Sequence, residues 1–333
     1  MAPSAGPRIV VVGPVNIDLF MRGRAPLDAE ALSTWVGPSD VQIIVAGSVG
    51  YTVQILDRLG AEVELCTTTG DDAFGAYLRD ELAAAGIGLR LATTAHGPTA
   101  IAIYVLLFGG PKRPMTYRLP GFEPWPDPLP DLLGDDQPPE LVHCGGLLHF
   151  PEMWHRSLAP AFAAARARGV RTSLDPQFPL TEMAAPWLPH IADVLAETDV
   201  LLLDEGECRR MFDVPGLGEA IRLAHAAGPR IVVVKRAAAG ALISDGVQRI
   251  RQPAVHVPDA AVREAVGAGD AFDSGFLDAL LRGADVAAAG RFATAAASLS
   301  LHGRGGAEAV ADRAAVEAIL DGVPEPEPWV GRW

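Results

Sequence analysis

The sequence predicts an α/β fold with a mostly parallel central sheet and a small β-strand lid. Short β-branched runs such as Ile9–Val12, Val200–Leu203 and Ile231–Val234 read as strands buried on both faces. They alternate with segments whose apolar residues recur at helical spacing. Polar clusters stand repeatedly at the carboxyl ends of the apolar runs, where open parallel sheets bind ligands.

The totals fit this class. The chain has 333 residues, 49% of them apolar and 20% charged, enough for a sizeable core. A net charge of -14 argues against a nucleic-acid or anionic-membrane partner. The only lysines are Lys112 and Lys235, and neither follows a glycine, which excludes a P-loop of the G-x-x-x-x-G-K-[ST] type. Cys66, Cys144 and Cys208 are far apart and outside any C-x-x-C, so they read as reduced, buried thiols. No apolar segment reaches membrane-spanning length, and the expectation is a cytoplasmic protein.

Arg8 to Gly13 reads as a buried strand, and Asn16 and Asp18 follow two residues apart. On an extended segment they project from one side and suit vicinal hydroxyls of a polyol; an Asx turn is the alternative. Leu19 to Val45, broken by Pro26, Gly37 and Pro38, reads as short strands rather than helix. Ala46-Gly-Ser-Val-Gly50 then opens a helix through Val53, Leu56 and Leu59, stopped by Gly60. Ala61 to Thr67 returns as a strand, and Gly70-Asp-Asp-Ala-Phe-Gly75 opens the next helix.

Thr99 to Phe108, a turn at Gly109-Gly-Pro111 and Met115 to Arg118 read as a β-hairpin without a helix to return it to a parallel sheet. With the strands of residues 19–45 it forms a lid that excludes water from a site. Its exposed apolar strands need a partner, which points to a homodimer joined through them. Gly121 to Pro139 is a surface loop. The α/β rhythm then resumes through strands at 141–145, 170–174, 200–204 and 231–235. These strands end in Asp175-Pro-Gln177, in Asp204 with Glu207, and in Lys235 with a small-residue turn to Ala241.

In Glu264-Ala-Val-Gly-Ala-Gly-Asp270 the glycines make a tight turn, after which Phe272, Phe276, Ala279 and Leu280 recur at helical spacing. The first amides of a helix lack partners within it, and its dipole is positive outward, so this turn can cradle an anion beside the Asp270 carboxylate. That pairing suits phosphoryl transfer; an aspartate merely capping a glycine turn is the plain alternative. Asp285 can cap a further helix through Leu299, whose alanines allow close packing that a base-binding wall or a plain helix-sheet contact would equally use; the plain contact is favoured.

Taken in order, seven features resemble the PfkB carbohydrate kinases, a ribokinase-like family, over nearly the whole chain. They are Gly13 with Asn16 and Asp18, Ala46-Gly47, Gly70 to Gly75, Asp175-Pro176, Asp204 with Glu207, the turn before Gly240, and Gly267-Ala-Gly-Asp270. The resemblance implies one ribokinase-like three-layer α/β/α domain over residues 1–333, with lid strands inserted within about 19–45 and 98–119 and a tail at 324–333. It implies transfer of the γ-phosphoryl group of ATP, with Mg2+, to a primary hydroxyl of a small sugar or sugar derivative. Asp270 falls on the general base, and the Gly267–Asp270 turn, with the amides of Ala268, Gly269 and Asp270, on the anion hole. Asn16, Asp18, Gly47, Ser48, Tyr51 and Asp270 fall on acceptor contacts. Asp204, Lys235, Ala237, Gly240, Gly267, Gly269 and Gly303 fall on the nucleotide site, which the stretch from Gly303 to Gly305 helps to line, and Glu207 on the Mg2+ position, acting through water.

Several positions depart from the family pattern. Its usual asparagine in the glycine-led helix is Tyr51, which removes an amide and adds a ring. Its Asp-Thr before the glycine turn is Glu264-Ala265, so a monovalent-cation site and potassium activation are not carried over. An asparagine is replaced by Asp204 and a glycine by Ala237. Two further readings stand beside the sugar kinase. One is a nucleoside kinase of the same superfamily, with Tyr51, Phe108 or Tyr117 stacking on a base; the other is a ligand-binding protein derived from a kinase. An NAD enzyme is disfavoured because Gly13 is not followed by G-x-x-G. His143, Cys144 and His149 read as packing or hydrogen-bonding groups rather than metal ligands, and Lys112 and Arg113 as solvated.

Overall fold

The computed structural model describes residues 6–26, 28–35, 40–91, 97–106, 115–119, 129, 131–134, 137–149, 157–303 and 306–330. The predicted hairpin turn with Phe108, Lys112 and Arg113, and Gly305 and Trp333, lie outside these residues.

β1 (Arg8–Val12) lies inside the main sheet. Ile9 and Val11 enter the apolar core on one face, Val10 and Val12 the core on the other. Burial on both faces is why the run carries no polar alternation. The chain then leaves this sheet for β2 (Asn16–Arg22), α1 (Ala29–Ser33) and β3 (Asp40–Ala46). α1 corrects the expectation of strands alone in this segment. Asp28 accepts the Ala31 amide at 2.7 Å, an N-cap that the scattered apolar pattern hides.

α2 (Gly50–Arg58), β4 (Glu62–Thr67), α3 (Ala73–Ala84) and β5 (Gly88–Leu91) follow, β4 and β5 extending the main sheet in parallel on one side of β1. Asp72 caps α3 through the Gly75 amide at 2.8 Å and also accepts the Thr99 amide at 2.9 Å. It thereby ties α3 to the chain entering β6 (Ile101–Leu106) and β7 (Met115–Leu119). β6 runs parallel to β2 and antiparallel to β7, so four strands form a second, small sheet in the order β3-β2-β6-β7.

β8 (Leu141–Gly145) pairs in parallel with β1 on its other side. After it come α4 (Leu158–Ala167), β9 (Arg171–Asp175), α5 (Leu188–Ala196), β10 (Val200–Asp204), α6 (Glu205–Phe212), α7 (Leu217–Ala227) and β11 (Ile231–Lys235). β12 (Ala241–Ser244) and β13 (Arg249–Gln252) add antiparallel strands. The chain closes with α8 (Ala268–Leu281), α9 (Val286–Ser300), α10 (Arg313–Glu317) and β14 (Glu327–Pro328). The main sheet reads β14-β13-β12-β11-β10-β9-β8-β1-β4-β5, so strand order reverses between β1 and β8. That switch point is where a doubly covered sheet opens a crevice.

Residues of α2, α3, α8 and α9 share one core with Ile9 and Val11, while residues of α4 to α7 share the other with Val10 and Val12. The result is three layers. A Cβ on Gly275 would stand 3.0 Å from Ala293 Cα and 3.1 Å from Ala296 Cβ, so the alanines of α9 serve its close approach to α8. In the tail, β14 pairs with β13 and Trp329 packs on the apolar core.

Candidate active site

β9, β10 and β11 end in Asp175, Asp204 and Lys235, and in-register pairing sets Asp204 beside Lys235. Lys235 Nζ donates to Asp175 Oδ2 at 3.0 Å and to Asp273 Oδ2, one turn into α8, at 2.7 Å. Burial opposes the lysine's charge, but the Asp175 and Asp273 carboxylates outweigh it and hold its pKa well above the ordinary value. Burial also pushes against the charge of Asp175, yet Lys235 draws that carboxyl below its usual range. Asp273 moves the other way, raised by burial and by the charge of Asp175 despite Lys235. Its Oδ1 is buried without a hydrogen-bond partner among the described residues.

At the start of α6, Asp204 Oδ1 accepts the Glu207 amide at 2.7 Å, and Glu207 Oε2 accepts the Asp204 amide at 2.7 Å. This reciprocal cap fixes both carboxyls at the helix N-terminus. Burial, then the charges of Asp175 and Asp204, raise Glu207 well above the usual carboxylate range.

Facing them, Gly267 is the N-cap of α8 with φ +83°, a left-handed conformation that favours glycine. A Cβ there would also come within 2.7 Å of Gly306 Cα and 3.1 Å of Tyr51 Cγ. Asp270 sits in the first helical turn and accepts from Thr52 Oγ1 at 3.3 Å. Burial, reinforced by Asp175 and opposed by Lys235, pushes its pKa up to about 7. A carboxyl titrating there is suited to accept a proton at neutral pH.

Asp175, Asp204, Glu207, Lys235, Ala237, Gly240, Ala268, Gly269 and Asp270 all line one cavity of about 1160 Å³. Val255, Val257, Phe272, Ala297 and Leu301 form an apolar wall of the same cavity. It has the size and mixed lining of a small-molecule site. Among the described residues no three His, Cys, Asp or Glu side chains converge to hold a metal ion directly. The donor set suits Mg2+ held largely by water and phosphate oxygens, with Glu207 and Asp204 supplying hard oxygens.

The residues expected at the acceptor, Asn16, Asp18 and Tyr51, form a separate, buried group. Asp18 Oδ1 accepts from Asn16 Nδ2 at 2.8 Å and Oδ2 from the Tyr51 hydroxyl at 2.9 Å. Burial, and the neighbouring Asp18 charge, raise the Tyr51 phenol well above its ordinary pKa, so it stays a donor. None of the three lines the cavity. Gly47 turns tightly beneath Asn16, where a Cβ would meet the Asn16 amide nitrogen at 2.8 Å. Ser48 Oγ meets His149 Nδ1 at 3.0 Å, and Gln177 Nε2 donates to the Ser48 carbonyl at 3.0 Å; His149 and Gln177 do line the cavity. Gly303 is not among the lining residues and packs against Ala309.

His143 is buried and hydrogen-bonded to Ser173 Oγ at 2.8 Å, with burial holding its pKa down at about 4. The three cysteines are buried and free. Sequence reasoning missed Asp273 and Thr52, placed Gln177 only as part of a strand-end cluster, and favoured plain packing for the alanines of α9, of which Ala297 lines the apolar wall. For Asp273 a signal existed, since it lies one helical turn after Asp270 and faces the same way.

A carboxyl titrating near neutrality beside an open helix N-terminus, over an acidic cleft with a single embedded lysine, defines a phosphotransferase acting on a hydroxyl group. The pfkB family carbohydrate kinase description matches residues 7–313, and the chain belongs to that family. It is 27% identical over 328 residues to the ribokinase of Arabidopsis thaliana, covering 94% of this chain and 81% of that one. It is 27% identical over 271 residues to a nucleoside kinase of Methanothermobacter thermautotrophicus, covering 78% and 79%. An E. coli protein solved with ATP and Mg2+ shares the fold at a TM-score of 0.76 and 18% identity, covering 95% of this chain and 99% of that one.

Proposed function

We propose that the protein is an ATP- and Mg2+-dependent kinase that phosphorylates a primary hydroxyl of a small sugar or sugar derivative. The observation that carries this reading is Asp270, with its pKa pushed up to about 7, in the first turn of α8 inside the cleft shared with Lys235 and Glu207. In this reading Asp270 takes the proton of the attacking hydroxyl while the amides of Ala268, Gly269 and Asp270 hold the transferred phosphoryl. Thr52 orients the receiving carboxyl through its bond to Oδ1. Asp175 and Asp273 hold Lys235 fixed beside the turn, where a Cβ on Gly269 would stand 3.8 Å from Nζ. The apolar wall receives the nucleobase. Bound Mg2+ would offset phosphate charge and favour the ionised form of Glu207, whose carboxyl pKa burial raises.

A second reading, a nucleoside acceptor, is favoured by Tyr51, which already occupies Asp18 Oδ2 and so changes what that carboxylate offers a sugar. We also place the protein in the cytoplasm and pair it as a homodimer through the small sheet. Val41 and Ile43 of its edge strand β3 are 54% and 42% exposed; sedimentation of a Val41→Lys variant as a monomer tests the pairing.

The deciding experiment is a coupled ADP-release screen with Mg-ATP against pentoses, hexoses, sugar phosphates and nucleosides, with and without potassium. Acceptor-dependent release by a sugar supports the first reading, and release only by nucleosides supports the second. Tight ligand binding without any release would favour a binding protein derived from a kinase.

A further inference from the structure

One charged pair joins the small sheet to the turn before α8. Arg22, the last residue of β2, donates from NH2 to Glu264 Oε2 at 3.2 Å. Glu264 is 6% exposed and the Arg22 side chain 18%, so the pair is largely withdrawn from water. Arg22 is held in turn: NH1 donates to Gln42 Oε1 of β3 at 2.9 Å, and its guanidinium lies 4.6 Å from the centroid of the Phe20 ring.

The other oxygen of Glu264 faces the turn. Oε1 accepts the Ala265 amide at 3.0 Å and the Val266 amide at 3.4 Å, so this carboxylate caps the backbone leading directly into Gly267. A buried carboxylate deprived of its cation is costly to keep in place, and it would turn toward water and release those amides. A second contact reaches the same turn from the same strand. Asp18 lies four residues before Arg22 on one face of β2, and it holds the Tyr51 hydroxyl while the Tyr51 ring packs on Gly267.

We propose that Arg22 is a positioning residue for phosphoryl transfer. Through Glu264 it fixes the 264–267 turn, so the anion hole keeps its shape only while β2 is seated. The proposal rests on the kinase reading above. Donors of this kind act through sub-ångström placement, so a small shift of the turn lowers turnover rather than nucleotide affinity.

The test compares Arg22→Gln, Arg22→Lys, Glu264→Gln and the Arg22→Gln/Glu264→Gln double variant in ADP release, with melting temperature measured in parallel. Arg22→Gln should lower kcat by about tenfold or more with the KM for ATP changed by less than about twofold. Glu264→Gln should do the same, and the double variant should be no worse than either alone. Arg22→Lys, which keeps the charge but not the two-pronged grip, should retain the fold and fall between wild type and Arg22→Gln. It keeps the test decisive if Arg22→Gln does not fold. A lowered melting temperature with kcat unchanged would make the pair a structural brace and overturn the proposal, as would multiplicative losses in the double variant. A wild-type enzyme with no transfer activity would instead sink the kinase reading itself.

Discussion

At the α8 end of the cleft, Asp270, Asp273 and Glu207 are carboxyls whose pKa values burial and neighbouring negative charge push up, around Lys235. Beneath the small sheet, Asp18 has one oxygen engaged by Asn16 and the other by Tyr51. The first region is electrostatically unfinished and gains from a ligand that brings cations and phosphates. The second has its hydrogen bonds in place beforehand, so an acceptor hydroxyl reaching Asp18 must share or displace one. In the proposed reading, transfer chemistry rests on the cleft around α8, while Tyr51, a departure from the family pattern, alters what Asp18 offers an acceptor.

The contrast breaks most sharply at Asp270. Asp270→Asn keeps shape and loses the base, so acceptor-dependent turnover should fall by about 10²–10⁴-fold. ATP binding followed by calorimetry should persist; undiminished turnover would mean that the raised pKa serves no proton transfer. Lys235→Met tests whether the cluster needs its only cation. It leaves Asp175 and Asp273 together without compensation and should lower unfolding stability by about 3–5 kcal/mol in urea titrations. An unchanged midpoint would show that the two carboxyls settle their charge between themselves.

Tyr51→Phe addresses the satisfied region. It removes one donor from Asp18 and should cost about 1–3 kcal/mol of stability, with the acceptor KM altered and kcat nearly kept. A loss confined to kcat would place Tyr51 in the transfer machinery instead. A last effect concerns pH and stability. A carboxyl raised from 3.8 to about 7 stabilises the fold at low pH and loses that contribution as pH rises through about 7. Asp270→Asn lacks that loss, and its melting temperature relative to wild type should climb between about pH 4 and 7 and level off above that.

How far the sequence could be read follows the same division. Gly267 to Asp270 announced itself because a left-handed glycine, a helix start and a carboxylate must be contiguous to work, and the α/β alternation is written in local periodicity. The joining of Asp273 to Lys235 across 38 residues is not local, and neither is that of Arg22 to Glu264 across 242. Tyr51 could be recognised as a departure, but its bond to Asp18 depends on how β2 lies against α2. α1 went unseen because five residues are too few to establish a period.

The most direct test of the central claim is the pH profile of acceptor kcat/KM in the wild-type enzyme. The account predicts an activity that rises with pH and levels off above a midpoint near 7, because burial and Asp175 delay the ionisation of Asp270. A profile that is flat from pH 5 to 8, with chemistry rate-limiting, would contradict it.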